Sequence, residues 1–319
     1  MTRHLVGRFG RALLVVLGVT FCTFALLAMA PGDPAKQRAG MNATPEVIAE
    51  IRAEMGLDDP LPIRYLRWLG DAARFDFGES LGRAGFSVTD LIRTALPKTL
   101  EIMLLAETLA LGMAVPLALA AARRPGGRID RFAGSAVFVL LAIPTFVLGI
   151  YLQYVFGVRL GWFPVISKTL PGFERDPLGN LREYFLPALT LASGLVAIYL
   201  RILRGDVIET MQQDYVMLAQ ARGISDRRLL WRHVLRPSSI NTVTAVGLQV
   251  AGLIGGAFVI EALFAIPGIG RLLIDSVGQG DTNTVAAIVT LVSVGYVVVN
   301  TLIDVIYSLI DPRIRHATA

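Results

Sequence analysis

Charge is scarce in this sequence: Asp, Glu, Lys and Arg make up 17% of its 319 residues, where a water-soluble domain carries about 25%. The deficit falls in long apolar runs, and 54% of the chain is hydrophobic, which excludes an ordinary soluble globule. Cysteine is nearly missing as well. The single Cys22 lies inside the first apolar run, so an intrachain disulfide and a Cys-rich metal site are both excluded. His4, His233 and His316 are too far apart in sequence to suggest a zinc signature. There is no G-x-x-x-x-G-K-[ST] loop to cradle phosphates, and no soluble stretch long enough for a nucleotide-binding domain. Any energy for work must come from another subunit or an ion gradient. No nucleophile, base and metal ligands cluster in the apolar runs, which argues against a membrane-embedded enzyme. The net charge of +5 does not mark a nucleic-acid binder, because the arginines flank apolar runs and form no basic domain of their own.

What is present is a series of apolar runs. A spanning helix needs about 20 mostly apolar residues to cross a hydrocarbon core about 30 Å thick. Runs at about 9–30, 98–122, 132–156, 184–204, 237–264 and 285–310 fit this requirement. They predict an all-α integral membrane protein with about six transmembrane helices. The run 184–204 is the weakest, since it starts near Pro187 and ends in charged sequence. Orientation follows from the excess of basic residues in cytoplasmic pieces. Arg3, Arg8 and Arg11, then Arg123, Arg124, Arg128 and Arg131, then Arg201 to Arg236, and finally Arg313 and Arg315 all fall on one side. Both termini are therefore expected in the cytoplasm. A rival reading of the first run is a cleaved signal peptide, because Ala28-Met29-Ala30 follows an Arg-flanked apolar stretch. The run is long for that, and Pro31 would sit just after the cut.

The segment 31–97 is the one large extramembrane piece on the outer side, and its carboxylates outnumber its basic residues. Pro31-Gly32-Asp33-Pro34 must end the first helix. Thr44-Pro45-Glu46 opens a short helix, with Thr44 placed to cap it and Pro45 at its first position. Leu61 to Leu69 reads as an amphipathic piece, with Tyr65 and Trp68 suited to the headgroup level. This segment is either a small cap of no specific function or a docking surface for an external partner. The loop 123–131 is a short basic turn that anchors topology.

The stretch 205–236 is the most informative. Ile208, Met211, Tyr215 and Leu218 recur at helical spacing, giving one apolar face. Gly223 interrupts the pattern and is placed to end a helix in the left-handed conformation. Ser225 or Asp226 can cap a second helix over 227–236, with Arg228, Arg232 and Arg236 on one face and Leu230 and Val234 on another. The product is a helix–glycine–helix corner joined at both ends to spanning helices. Such an element can transmit a push from a soluble partner, or lie as an amphipathic helix on anionic lipid.

Within the spans, Glu107, Gln249 and the stripe Asn300, Asp304, Tyr307 and Asp311 are polar. Such residues usually face protein or water rather than lipid. Glu107, Gln249 and Glu261 are candidate pore or gate residues, with interhelical hydrogen bonding as the alternative. Gly247, Gly252, Gly255 and Gly256 predict a small-residue face suited to tight helix contact.

Tyr215-Val216, Ala219, Ala221-Arg222-Gly223 and Arg232-His233-Val234-Leu235-Arg236 resemble the EAA loop of binding-protein-dependent ABC importer permeases. Gly255 to Phe264 followed by Pro267-Gly268-Ile269-Gly270-Arg271 is similar to a segment of the dipeptide/oligopeptide/nickel branch, in its B-type subunit. Pro31-Gly32-Asp33-Pro34, Gly56-Leu57-Asp58-Asp59-Pro60-Leu61-Pro62 and Asp304 with Asp311-Pro312-Arg313 extend the resemblance over nearly the whole chain. The acidic first position of the broad motif is Met217 here, and its closing proline is displaced by one, to Pro237.

The resemblance implies the type I importer permease (MetI-like) fold, with an N-terminal helix and outer segment (1–97), a permease core (98–310), the coupling loop within it (205–236) and a cytoplasmic tail (311–319). It implies a non-catalytic subunit of a bacterial inner-membrane importer for di- or oligopeptides, with nickel, glutathione or another small solute as alternative cargo. The expected partners are a homologous second permease, cytoplasmic ATPase subunits that bind ATP and Mg, an extracytoplasmic substrate-binding protein, the peptide, and membrane lipid. Tyr215, Ala219, Ala221, Gly223, Arg227, Arg228 and Arg232 would make the ATPase contact. An ion-coupled secondary transporter is the rival, though it would be expected to show an internal repeat and broken helices with paired acids.

Overall fold

The computed structural model describes residues 2–29, 32–40, 43–167 and 172–310. Among these residues the protein is helical, with one isolated antiparallel bridge between Glu79 and Ser87. In chain order the helices are α1 (Thr2–Met29), α2 (Pro34–Ala39), α3 (Pro45–Glu54), α4 (Leu61–Ala72), α5 (Val88–Ala122), α6 (Arg128–Ala142) and α7 (Thr145–Leu152). They continue with α8 (Pro177–Met211), α9 (Asp214–Ala221), α10 (Asp226–Arg228), α11 (Leu235–Phe264), α12 (Ile269–Gln279) and α13 (Thr282–Ile310). Two π-helical stretches, Gln153–Arg159 and Leu229–Val234, extend α7 and join α10 to α11.

Among the described residues three helices, α5, α8 and α13, are long and apolar enough to cross a membrane, or up to five spans if each bent pair is counted once. The apolar part of α1, Leu13–Met29, is shorter. The architecture is therefore all-α and membrane-spanning. The run 132–156, expected as one span, is broken instead: α6 and the α7 stretch meet at 102°. Pro144 causes the break, because Ile143 before it is pushed out of the helical region to ψ 123. The weakest predicted span becomes part of one of the best-built helices. Asp176 caps α8 by accepting from the Gly179 N–H at 2.9 Å, Pro177 opens it, and the helix passes through a buried Pro187. Thr190 and Ser193 fold their hydroxyls back onto the Leu186 and Thr190 carbonyls, which keeps polar groups satisfied in an apolar setting.

The chain divides into two compact units. One comprises the chain up to Thr99 together with Pro267–Val298. Here Asp33 caps α2 through the Ala35 N–H and pairs with Arg52 at 2.6 Å. Burial alone would raise the Asp33 carboxyl, but the Arg52 and Ala35 bonds outweigh it and hold it below the usual range. Tyr65 is buried against α1: its hydroxyl lies 2.9 Å from that of Thr20, and Phe21 packs edge-on to its ring.

Asp281 is the hub of the same unit. Ser80 Oγ, the Leu81 N–H, and both the N–H and Oγ1 of Thr284 donate to its carboxylate. Burial pushes this carboxyl up, and the four donors together bring it below the ordinary value. Arg83 pairs with Asp275 of α12 at 3.5 Å, Arg38 of α2 pairs with Glu79 at 3.6 Å, and the Asn283 amide of α13 donates to the Glu79 carbonyl at 3.0 Å, so the loop 76–87 is tied by polar contacts to all three helices.

The other unit comprises Leu100–Ile266 with the chain from Val299. Its most extensive helix pairing is α8 with α11. Ala106, Ala110, Ala114 and Ala118 of α5 are fully buried at four-residue spacing, which lets helices approach closely. The glycine face expected on α11 is only partly used: a Cβ on Gly247 would collide with the Ile303 side chain, whereas Gly252 and Gly255 have nothing within 4 Å. Of the polar stripe, the side chains of Asp304 and Tyr307, and Asp311 entirely, lie outside the described residues.

Candidate functional site

The corner between α8 and α11 is where the sequence placed its chemistry. The apolar face predicted across 208–218 is split, because α8 ends at Met211 and α9 begins after Gln213, whose ψ of 143 is extended. Helical spacing cannot register a break made by two ordinary residues. The consequence is that Ile208 and Met211 pack on the core, while α9 buries only Val216 completely. Tyr215, Met217 and Leu218 are 48%, 52% and 54% exposed on a helix of eight residues.

Ala219 and Ala221 part company. Ala219 is half-buried against the core, and Ala221 is exposed. Gly223 follows with φ +75, its N–H donating to the Gln220 carbonyl at 2.9 Å and that of Ile224 reaching back to Ala219 at 3.3 Å. A side chain other than glycine enters this conformation at a cost.

The chain then turns back through α10. Ser225 occupies the cap position with no side-chain hydrogen bond to the helix. A π-helical stretch, Leu229–Val234, interrupts the regular helix expected over 227–236. Arg227, Arg228 and Arg232 line a recess of about 580 Å³ together with Ser225 and Trp231, and Arg236 does not. Leu229, Leu230 and Val234 are buried beneath it. Trp231, 51% exposed at the recess, was missed in sequence. Its only signal was an aromatic among arginines.

The corner is stapled to its two long helices. Ser238 Oγ bonds Thr210 Oγ1 at 2.8 Å, and Asn241 donates to Asp206 at 3.2 Å, closing α11 onto α8 just above the turn. Arg123 reaches Asp226 at 3.2 Å. Nearby, Arg204 makes a two-pronged pair with Asp130, one arm at 2.8 Å. Asp130 also accepts from the Gly126 N–H.

The pore candidates lie on α5 and α11. Glu107 is half-buried on α5, with both carboxylate oxygens lacking a hydrogen bond and the Tyr199 hydroxyl as polar neighbour. Gln249 is half-buried on α11. Glu261 is fully buried and shares its surroundings with Tyr184, Glu101 and Glu183. Glu101 and Glu183 escaped the sequence reading because each sits at the end of an apolar run. Among the described residues no group of three or more His, Cys, Asp or Glu could hold a metal ion.

Comparison with known proteins places this geometry. The chain is 34% identical over 316 residues to the oligopeptide transport system permease protein AppB of Bacillus subtilis, covering 99% of this chain and 100% of that one. It is 33% identical over 315 residues to the dipeptide transport system permease protein DppB of the same organism, covering 99% and 98%. A probable peptide ABC transporter permease protein of Sinorhizobium fredii, y4tP, is 34% identical over 313 residues, covering 98% and 99%. Among solved structures, an amino acid ABC transporter crystallised with histidines shares the fold, with a TM-score of 0.50 at 16% identity over 69% of this chain and 94% of that chain. Residues 1–102 match the N-terminal model of binding-protein-dependent transport system membrane components. With residues 114–316 matching the main model, the chain belongs to the family of binding-protein-dependent transport system inner membrane components.

Proposed function

We propose that this chain is the pore-forming permease subunit of an ATP-driven bacterial importer of di- or oligopeptides, worked through the corner around Gly223. In this reading it crosses the inner membrane six times, as α1, α5, the bent α6–α7 pair, α8, α11 and α13, with both ends in the cytoplasm. A homologous second permease completes the pore in the type I importer fold. Cytoplasmic ATPases bind ATP and Mg, and an external binding protein delivers the peptide. The named relatives are peptide permeases, which favours peptide over nickel or glutathione as cargo.

One observation carries the reading: a short helix that leaves Tyr215, Met217 and Leu218 open, beside a recess lined by Arg227, Arg228 and Arg232. Exposed apolar side chains rimmed by polar groups mark an interaction surface. The mechanical logic follows from the staples. A partner that grips α9 moves the ends of α8 and α11 together, because Ser238–Thr210 and Asn241–Asp206 hold those ends as one fork. Closure of two ATPases would then tilt two such forks and open the path outward. Arg227, Arg228 and Arg232 would meet carboxylates of the ATPase, and Ala221 would let its backbone approach. Glu107, Gln249 and Glu261 are the residues proposed to face the path or gate it. The outer segment 31–97 would dock the binding protein, supported by the exposed Phe75 and Phe86.

The test is co-purification of the full chain with its ATPase, in wild type and in Gly223→Pro. Proline fixes φ near −65° and lacks the N–H that bonds Gln220. Association should fall at least tenfold, on the order expected when a backbone turn is lost, while membrane insertion is retained. An ion-coupled transporter would instead keep uptake without the ATPase and lose it when the ion gradient is collapsed.

A further inference from the structure

Between the end of α5 and the start of α6 lies a shallow apolar groove of about 580 Å³. Met113, Pro116, Leu117 and Ala120 of α5 line it together with Ile129 and Phe132 of α6. The indentation begins in the sequence of α5. Pro116 presents only a compact ring, and Gly112, one turn earlier, has nothing within 4 Å of where a Cβ would stand. The α6 wall is open: Phe132 is 67% exposed.

Arg128, the first residue of α6, is the one charged side chain lining the groove. Its turn is rich in cations that the protein does not neutralise. Arg123 pairs with Asp226, and Asp130, the one acid of residues 123–131, is taken by Arg204. Among the described residues Arg124, Arg128 and Arg131 have no carboxylate partner.

We infer that this groove is a binding site for an anionic phospholipid, with the phosphate on the Arg128 guanidinium and an acyl chain along Met113, Leu117, Ile129 and Phe132. The chemistry requires both halves of the ligand. A small soluble anion would satisfy the arginine and leave the apolar slot in water. An apolar helix from another subunit would fill the slot and strand an unpaired guanidinium, which is costly away from water. A planar guanidinium matches the phosphate oxygens with two parallel N–H bonds, and basic residues at the ends of spanning helices attract acidic headgroups. The site does not depend on the transport reading, and its test reads lipid retention rather than uptake.

The experiment is native mass spectrometry of the full chain in its purified complex, equilibrated with equimolar phosphatidylglycerol and phosphatidylcholine. Wild type should retain phosphatidylglycerol preferentially. Arg128→Gln should lower that retention about fivefold, the factor for one basic residue near an acidic headgroup, and Arg128→Lys should restore part of it. Ala120→Phe, which fills the groove and leaves every charge in place, should lower retention of both lipids. If Arg128→Gln does not accumulate in the membrane, Ala120→Phe decides alone. Equal retention of the two lipids by wild type, an unchanged ratio in Arg128→Gln, unchanged retention in Ala120→Phe, or displacement by inorganic phosphate at the lipid concentration would each overturn the site. So would a Phe132→Cys, Cys22→Ser chain that cross-links to a second subunit instead of reacting with a lipid-soluble maleimide.

Discussion

The corner at residues 212–234 and the loop at 76–87 both connect helices, yet they meet their polar groups in opposite ways. Around the loop, Ser80 and Leu81 join two donors of Thr284 on Asp281, and Arg83 finds Asp275, so the segment's polar groups are met by neighbouring elements of its own unit. In the corner, Arg227, Arg228 and Arg232 line an open recess and three large apolar side chains of α9 stand in solvent. A segment that satisfies its own groups needs nothing further to be stable. Open cations beside exposed apolar area are what an interaction surface offers. The comparison thus separates a segment whose polar contacts are prebuilt from one whose contacts would come from the partner proposed above.

The largest expected effect breaks the corner itself. Ala219 and Ala221 look equivalent in sequence, but the first packs on the core and the second faces outward. Ala221→Trp should reduce uptake and ATPase association at least tenfold, about 1.4 kcal/mol of binding, with an unchanged Tm in detergent. Ala219→Trp should instead lower stability by about 1–3 kcal/mol through overpacking. Identical behaviour of the two variants would remove the distinction between an inner and an outer face of α9.

Much of this was legible beforehand. Long apolar runs announced the helices, and Gly223 announced the left-handed turn, because glycine is the residue that enters that conformation without penalty. What escaped has physical causes. The spacing of Ile208, Met211, Tyr215 and Leu218 fits one helix or two, since Gln212 and Gln213 carry no turn signature. The π-helical stretch Leu229–Val234, which carries Trp231 of the recess, is invisible to a 3.6-residue pattern. Pro144 broke a predicted span by 102°, whereas Pro187 broke nothing. A proline's effect depends on whether neighbouring helices close over the freed backbone: residues 186–188 around Pro187 are buried, whereas residues 141–147 around Pro144 are exposed. Tyr65 was placed by a hydroxyl on α1 forty-five residues away, a contact that only the fold creates.

An intermediate effect sharpens the comparison within the corner's own unit. Asp130 and Arg204 form a pair that is closed in the manner of the Asp281 hub, with Asp130 buried and Arg204 about one-third exposed. Asp130→Leu alone should destabilise by about 2–3 kcal/mol, below the 3–5 kcal/mol of a fully buried pair because of that exposure. Asp130→Leu with Arg204→Met should recover most of the loss, since two apolar groups replace two desolvated charges. Chemical unfolding of the detergent-solubilised chain measures both. Equal losses in the single and double variants would mean that packing, not ion pairing, holds α6 to α8.

The smallest expected effect is local and depends on pH. The Asp281 carboxyl lies below the ordinary value of about 3.9 because its four donors outweigh burial. A carboxyl depressed in the folded state contributes stability that is complete above its unfolded value and is lost as pH falls through the folded one. The loop 76–87 should therefore hold its amide protection down to about pH 4 and lose it progressively below. Hydrogen exchange, corrected for intrinsic rates, measures this segment by segment. Asp281→Asn should weaken protection already at neutral pH and flatten its dependence on acid. The corner should show no matching step, because its ion pair, Arg123–Asp226, is exposed and worth little. A step of equal size in both segments would mean that the closed loop and the open corner are held by the same kind of contact.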